Sequence, residues 1–266
     1  IGLIYGIYNF SSNSQEYYHN NISLDHAPST ATSSTRGFYA TSSPSDINLR
    51  NNIISVTRGG SGTKHGIYYN TSTSSFTSDY NNVYIPNGNF GYYSGDQATL
   101  ASWRTANGGV YGANSYDADP RLTSTTDLTP TGWAPDNSGD NTVGIANDFN
   151  GALRGATPDM GAIEFTGPTC PDPSGVATSN PTGTTIDVSW TENGTATSWE
   201  VEFGTTGFTQ GTGTSSIESN DTTTLTGLTV GTDYDVYVRA ICGAGDTSVW
   251  TNVLTFTFSG SLLWGA

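Results

Sequence analysis

The sequence predicts an all-β chain in two parts, a solenoid of short stacked coils followed by a sandwich of antiparallel strands. Three observations carry this: a pair of markers that repeat in phase about every thirty residues, a change of texture near residue 168, and a composition suited to turns and strands. Charged residues are only 12% of the chain and aromatics reach 12%, which separates it from disordered tails, since those are highly charged and poor in aromatics.

The first marker is Asn-Asn before a β-branched residue, at Asn20-Asn21-Ile22, Asn51-Asn52-Ile53 and Asn81-Asn82-Val83, spaced by 31 and then 30 residues. The second is Gly-apolar-Tyr, at Gly6-Ile7-Tyr8, Gly37-Phe38-Tyr39, Gly66-Ile67-Tyr68 and, with an aromatic replacing the aliphatic, Gly91-Tyr92-Tyr93. Its distance to the next Asn-Asn is 14, 14 and 15 residues, so both markers keep one phase. A constant period built of short β segments separated by Asn, Gly and Ser indicates a solenoid, here the coils of a parallel β-helix over residues 1–165. Equivalent residues of successive coils then stack about 4.8 Å apart. The asparagines would form a hydrogen-bonded ladder at a corner and adopt the left-handed conformation the corner needs. Ile7, Phe38, Ile67 and Tyr92 are expected as one inward column, and Ile22, Ile53 and Val83 as another.

The pattern breaks after Gly91, where Asp96 to Arg104 reads as a short helix with Asp or Thr near its start. A bare last coil would expose strand edges and core, so residues 105–165 are expected to cap it. From Pro168, the runs Thr185 to Trp190, Trp199 to Gly204 and Tyr234 to Ala240 alternate apolar and polar residues, as half-buried sandwich strands do. Residues 168–258 form this second part, and 259–266 a linker or tail.

Two resemblances refine the picture. Leu100-Ala101-Ser102-Trp103-Arg104, Asn114 to Pro120, Asp148 to Arg154 and Pro158 to Phe165 together resemble the closing segment of right-handed parallel β-helix proteins secreted by Bacteroidetes. That family includes polysaccharide lyases, other carbohydrate-active proteins and proteins of no known activity, so the resemblance implies fold before function. It also implies export by type IX secretion. Residues 168–258 resemble an immunoglobulin-like fibronectin type III domain, on the strength of Trp190 and of Leu228 to Tyr234, in which Tyr234 matches the corner tyrosine whose hydroxyl bonds the preceding loop.

Cys170 and Cys242 lie 72 residues apart, outside any CxxC pair. They read as a disulfide, with two buried thiols as the alternative, and the resemblance to Bacteroidetes versions of the second domain implies the same pairing. A disulfide belongs to an oxidising compartment, hence a secreted, extracellular or cell-surface protein. Eight Lys and Arg against 23 Asp and Glu give a net charge of −15, which argues against nucleic acid and anionic membranes as partners. No apolar run is long enough to span a bilayer.

Candidate sites follow from the columns. Tyr8, Tyr39, Tyr68 and Tyr93 would stack on one face, either as a platform for sugar rings or as a ladder that stabilises the coils. Tyr5, Arg36, His65 and Phe90, with Lys64 beside them and Arg58 nearby, form a mixed basic and aromatic strip without the carboxylates that the enzymes of this scaffold use, so no catalytic residue is assigned. Asp136 and Asp140 sit in an acidic Gly- and Asn-containing loop that reads as a calcium site or a plain turn. Asp148, Arg154, Asp159 and Glu164 are read as a structural cap, Arg154 bidentate to a carboxylate and the acids bonding backbone donors. His19 and His26 match no transition-metal spacing. The expected function is a non-catalytic structural or adhesive segment of a secreted surface protein or filament, with other subunits or extracellular polysaccharide as partners. The alternatives are the end of a carbohydrate-active enzyme whose catalytic coils lie upstream and a carbohydrate-binding module.

Overall fold

The computed structural model describes residues 2–70, 75–106 and 108–260, so the end of the expected tail, from residue 261, lies outside the described residues. The chain divides into two compact units, Ile1–Gly167 and Pro168–Ala266.

The first unit is built by repetition. Each of its first three turns carries three short strands: β1 (Ile4–Phe10), β2 (Glu16–Tyr18) and β3 (Asn21–Leu24); β4 (Thr35–Thr41), β5 (Ile47–Arg50) and β6 (Ile53–Val56); β7 (Lys64–Tyr69), β8 (Phe76–Asp79) and β9 (Asn82–Tyr84). A fourth turn starts with β10 (Asn89–Tyr93), which pairs antiparallel with β11 (Asp96–Gln97) before the helix α1 (Leu100–Ala106). Equivalent strands pair in parallel, giving the stacks β1-β4-β7-β10, β2-β5-β8 and β3-β6-β9. Phe38, Ile47, Leu49, Ile54, Ile67, Tyr69, Phe76 and Val83 fill the space they enclose.

The corner between the second and third stacks explains the asparagines. His19, Asn51 and Tyr80 have φ of 53°, 57° and 52°, so the left-handed residue is the one before the ladder asparagine, and only in the second turn is it itself an asparagine. The ladder is therefore Asn20, Asn52 and Asn81. Asn20 Nδ2 donates to Asn52 Oδ1 at 2.8 Å and Asn52 Nδ2 to Asn81 Oδ1 at 2.9 Å, while the main-chain N–H groups of Asn20 and Asn52 donate to the same side-chain oxygens. Because this phase runs one residue later than Asn-Asn in the second turn, the core column is Ile22, Ile54 and Val83 rather than one through Ile53. Ile53 pairs with Asn21 and Asn82, faces away from the core, and is buried beneath Gly161.

The repeat glycines mark close approaches of the first stack to the third. A Cβ on Gly37 would lie 2.2 Å from the Ile54 side chain, and one on Gly66 2.2 Å from that of Val83. In the fourth turn the register slips by one: Asn89 faces His65 and Gly91 faces Ile67. The inward column is then Ile7, Phe38, Ile67 and Gly91, not Tyr92, and the Trp103 ring lies against Gly91 where the next side chain of the column would project. Trp103 is fully buried among Phe76, Phe90 and Tyr111, and closes the core. Its helix starts at Thr99, whose Oγ1 accepts from Ser102 N and whose N–H donates to Ser102 Oγ, the reciprocal pattern of a capped N-terminus.

The remainder of the first unit corrects the expected cap. Residues 111–118 extend the stack, with Tyr116 bridging Asn82 and Ser115 Oγ accepting from Asn81 N. Beyond them the chain covers not the end of the stack but its flank, at the first two turns. Leu128 O accepts from Asn21 Nδ2, Asp140 exchanges two bonds with the Asn51 amide, and Gly161 N donates to Asn51 O.

The second unit pairs its strands partly between chain neighbours and partly across the fold. β12 (Ser174–Thr182), β13 (Thr185–Thr191), β14 (Trp199–Thr205), β15 (Thr214–Glu218), β16 (Thr222–Leu225), β17 (Asp233–Gly243), β18 (Asp246–Thr247) and β19 (Leu254–Thr257) form the sheets β12-β13-β16 and β15-β14-β17, the latter extended by β18 and β19 on β17. All of these pairings are antiparallel. Val188, Trp190, Trp199, Val201, Tyr234, Val236 and Val238 form the core between them. Thr229 N–H donates to the Tyr234 hydroxyl at 3.0 Å, tying the turn before β17 to its first residues. Cys170 and Cys242 are joined by a disulfide.

Candidate functional site

The outer face of the first stack collects the side chains most suited to a ligand. Its register runs Tyr8, Tyr39, Tyr68 and then Tyr92, so the fourth member is not Tyr93. The slip that brings Gly91 opposite Ile67 turns Tyr92 outward, and Tyr93, paired with Tyr69, packs against the core. The same slip removes Phe90 from the neighbouring column, which reads Tyr5, Arg36, His65 and Asn89, and buries Phe90 against Trp103.

The tyrosine rings stack mostly on one another. Tyr8 and Tyr39 are 5.0 Å apart and nearly parallel, Tyr68 and Tyr92 4.3 Å apart and parallel, while Tyr39 and Tyr68 meet edge to face. Between the two stacked pairs lies Arg36, its guanidinium carbon 4.1 Å from the Tyr39 centroid and 3.7 Å from that of Tyr68. His65 follows Arg36 in the column and bonds Asp96 Oδ1 through Nε2 at 2.8 Å. Burial lowers the His65 pKa against the opposing pull of Asp96, and burial raises that of Tyr68. Lys64, next to His65, is instead buried with its ammonium on Gly60 O at 2.6 Å, and Arg58 donates to Thr35 Oγ1.

The four residues read as a cap meet in one network on the flank. Arg154 Nη1 pairs with Glu164 Oε1 and donates to Asp159 O, and Nη2 donates to Gly161 O, so the guanidinium holds one carboxylate and two carbonyls rather than a bidentate carboxylate. Asp148 accepts from the main-chain N–H groups of Asn150, Ala152 and Glu164, and these hold its pKa low although burial pulls it upward. Asp159 accepts from Asn137 N and Phe165 N, yet burial pushes its pKa up to about 6. His19, absent from the expected set, belongs here too. Its Nδ1 bonds Gly161 O and its Nε2 the Asn51 amide, an arrangement for a neutral ring with the proton on Nδ1. Burial, then the charge of Arg154, lowers its pKa to about 4.

Asp136 and Asp140 are committed to protein donors. Asp136 accepts from Gly167 N and the Asn137 amide, and Asp140 from Arg50 Nη1, Thr142 N and Thr142 Oγ1. Burial works to raise the Asp140 pKa, but the bonds from Thr142 and Arg50 take it below the usual value. Among the described residues no three His, Cys, Asp or Glu side chains gather as a metal-holding group, and no helix is long and apolar enough to cross a membrane.

In comparisons with known proteins, residues 171–257 match the family described as Fibronectin type III domain, about the second unit's extent. No curated protein matches the chain. Solved structures similar to it include the fn3 domain of human collagen alpha-1(XX) chain, 24% identical over 38% of this chain and 94% of that one with a TM-score of 0.31. The FN5 domain of Drosophila Lar is 18% identical over 35% of this chain and 100% of that one, with a TM-score of 0.29. Chicken CNTN1 FN1-FN3 domains are 14% identical over 36% of this chain and 33% of that one, at 0.32. A fibronectin type III domain thus occupies residues 171–257, and it points to a non-catalytic structural or adhesive module.

Proposed function

We propose that this chain is a non-catalytic adhesive and structural segment of a secreted bacterial surface protein or filament. Its first 165 residues are the closing coils of a right-handed parallel β-helix, and its fibronectin type III domain is a spacer. The observation that carries the reading is the way the first unit spends its chemistry. Many of its polar residues are laddered or bonded to the flank segment, as Asn20, Asn52, Asn81, Asp140, Asp148 and Arg154 are, so they hold coils together. What faces outward is the aromatic strip through Tyr8, Tyr39, Tyr68 and Tyr92, which serves as the adhesive surface for extracellular polysaccharide. Export by type IX secretion rests on the resemblance of the closing motif alone.

The test is a glycan array together with a depolymerisation screen on the 266-residue chain, run with calcium and with a chelator. Binding without new reducing ends is expected. Calcium dependence is not, because protein donors already occupy Asp136 and Asp140. New reducing ends or unsaturated products would overturn the non-catalytic reading.

A further inference from the structure

We infer that the strip around Arg36 is a binding site for an anionic carbohydrate, the guanidinium taking the carboxylate or sulfate of a sugar ring and the flanking tyrosine hydroxyls its other oxygens. The inference rests on the adhesive reading above and names the ligand chemistry of that surface.

It starts from what the ladder leaves available. A flat aromatic platform for sugar faces needs ring faces turned to solvent. Here the faces of Tyr8 and Tyr39, and of Tyr68 and Tyr92, are turned to each other, and those of Tyr39 and Tyr68 also to Arg36. The free parts are ring edges and hydroxyls, and among the described residues none of these four hydroxyls bonds a protein partner. Such a surface suits hydrogen bonding to polar oxygens better than stacking on the apolar face of a neutral sugar.

Arg36 gives the surface its sign. The chain has 23 acidic residues, and most of its described cations are committed: Arg50 to Asp140, Arg154 to Glu164, Arg239 to Glu200, Arg104 to the carbonyls of Gly112 and Ser115, and Lys64 to that of Gly60. Arg36 has no carboxylate or carbonyl partner among the described residues, and its Nε is buried without an acceptor. The rings satisfy the faces of the guanidinium, but cation–π contact leaves the N–H edge unused. That planar edge matches the two oxygens of a carboxylate or sulfate, which a lysine would meet only as a point charge. His65, next in the column, has its pKa lowered by burial against the pull of its partner Asp96, and Asp96 stands on β11 opposite Tyr92, at the far end of the strip from Tyr8. The anion is therefore drawn to the Arg36 end of the strip.

The experiment is calorimetric titration of the 266-residue chain with polygalacturonate and with dextran sulfate, against neutral galactan and dextran, at low and moderate salt. Micromolar to millimolar binding of one or both polyanions is expected, weakening with salt and at least tenfold tighter than to the neutral polymers. Arg36→Gln is expected to lose at least tenfold and Arg36→Lys less, with near-ultraviolet circular dichroism confirming the fold. Should Arg36→Gln misfold, Tyr39→Phe with Tyr68→Phe keeps the stack, deletes two hydroxyls, and is expected to weaken polyanion binding several-fold. Polyanion affinity unchanged in Arg36→Gln, or unchanged in the double Phe variant where Arg36→Gln misfolds, would overturn the inference. Neutral polymers bound as tightly as charged ones would do the same while sparing the adhesive reading. Silence toward every polymer would remove both.

Discussion

The two units solve the same problem, how to register short strands of similar composition, by different means. In the sandwich the strands pair antiparallel, some with a chain neighbour (β12-β13, β14-β15) and some across the fold (β13-β16, β14-β17), and individual devices help fix them. These are the Thr229–Tyr234 bond at the turn, the buried Glu202 that accepts from the N–H groups of Gly211 and Gly213, and the Cys170–Cys242 disulfide. In the stacked unit each strand pairs about thirty residues away, and the register is held by side chains that bond their own equivalents, as Asn20, Asn52 and Asn81 do. Local turns can be read one at a time. A ladder is right or wrong along its whole length, because a slip of one residue turns every side chain to the other face.

The comparison is broken most severely by Trp103→Ala. Removing a fully buried ring that closes the core should cost the stacked unit about 3 to 5 kcal/mol. Hydrogen exchange read by peptide should then show loss of protection in residues 35–106 and none in 171–257.

The opposite cut is reduction of the disulfide. Opening a 72-residue loop should destabilise the sandwich by about 4 kcal/mol in the chain-entropy model and leave the stack unchanged. Urea titration with and without reductant, read on the same peptides, separates the two.

Acid sharpens the contrast, since the buried His19 and Asp159 both belong to the stack. With a folded pKa near 4 against 6.5, His19 refuses a proton that the unfolded chain accepts. Its contribution, on the order of 3 kcal/mol, is therefore complete above 6.5 and lost as pH falls toward 4. Asp159, raised from 3.8 to about 6, has the opposite sign and a similar size, because the folded carboxyl keeps a proton that the unfolded one has released, and stability falls as pH rises through that window. The wild-type stack should be nearly flat between pH 4 and 6. Asp159→Asn should make it acid-sensitive and His19→Asn base-sensitive over that range, as denaturant midpoints would report. Parallel slopes in the two variants would contradict the assignment.

The smallest effects compare a ladder with a local bond. Asn52→Ala removes the acceptor of Asn20 N–H and Nδ2 and the donor to Tyr17 O, Arg50 O and Asn81 Oδ1, and should cost about 2 to 3 kcal/mol, whereas Tyr234→Phe removes one hydrogen bond to a turn and should cost about 1 kcal/mol. Equal costs would mean that the ladder adds nothing beyond its individual bonds.

The repeat was legible because glycines with a close-approach role and corner asparagines recur at a fixed interval, and the sandwich because its strands alternate. The phase was not. Tyr93 for Tyr92, Phe90 for Asn89 and Ile53 for Ile54 are errors of a single residue, and each arises where one turn shortens or lengthens the coil without changing the motif. Of the closing residues, the acids and Arg154 were identifiable from their place in the segment that resembles a β-helix closing motif, but His19 was not. Its partner Gly161 lies 142 positions away, and nothing near residue 19 announces it.

By itself the sequence determined the kind of structure: β segments repeating in phase, then alternating strands with a corner tyrosine among them, and too little positive charge for a polyanionic nucleic acid. These are consequences of local geometry and composition, which each residue carries with it. Only the tertiary structure decided which tyrosine joins the strip, that the rings face one another with Arg36 between them, and that the closing segment lies on the flank. Those outcomes depend on register and on contacts across more than a hundred residues, where a one-residue shift in a loop changes no local preference yet redirects every side chain after it.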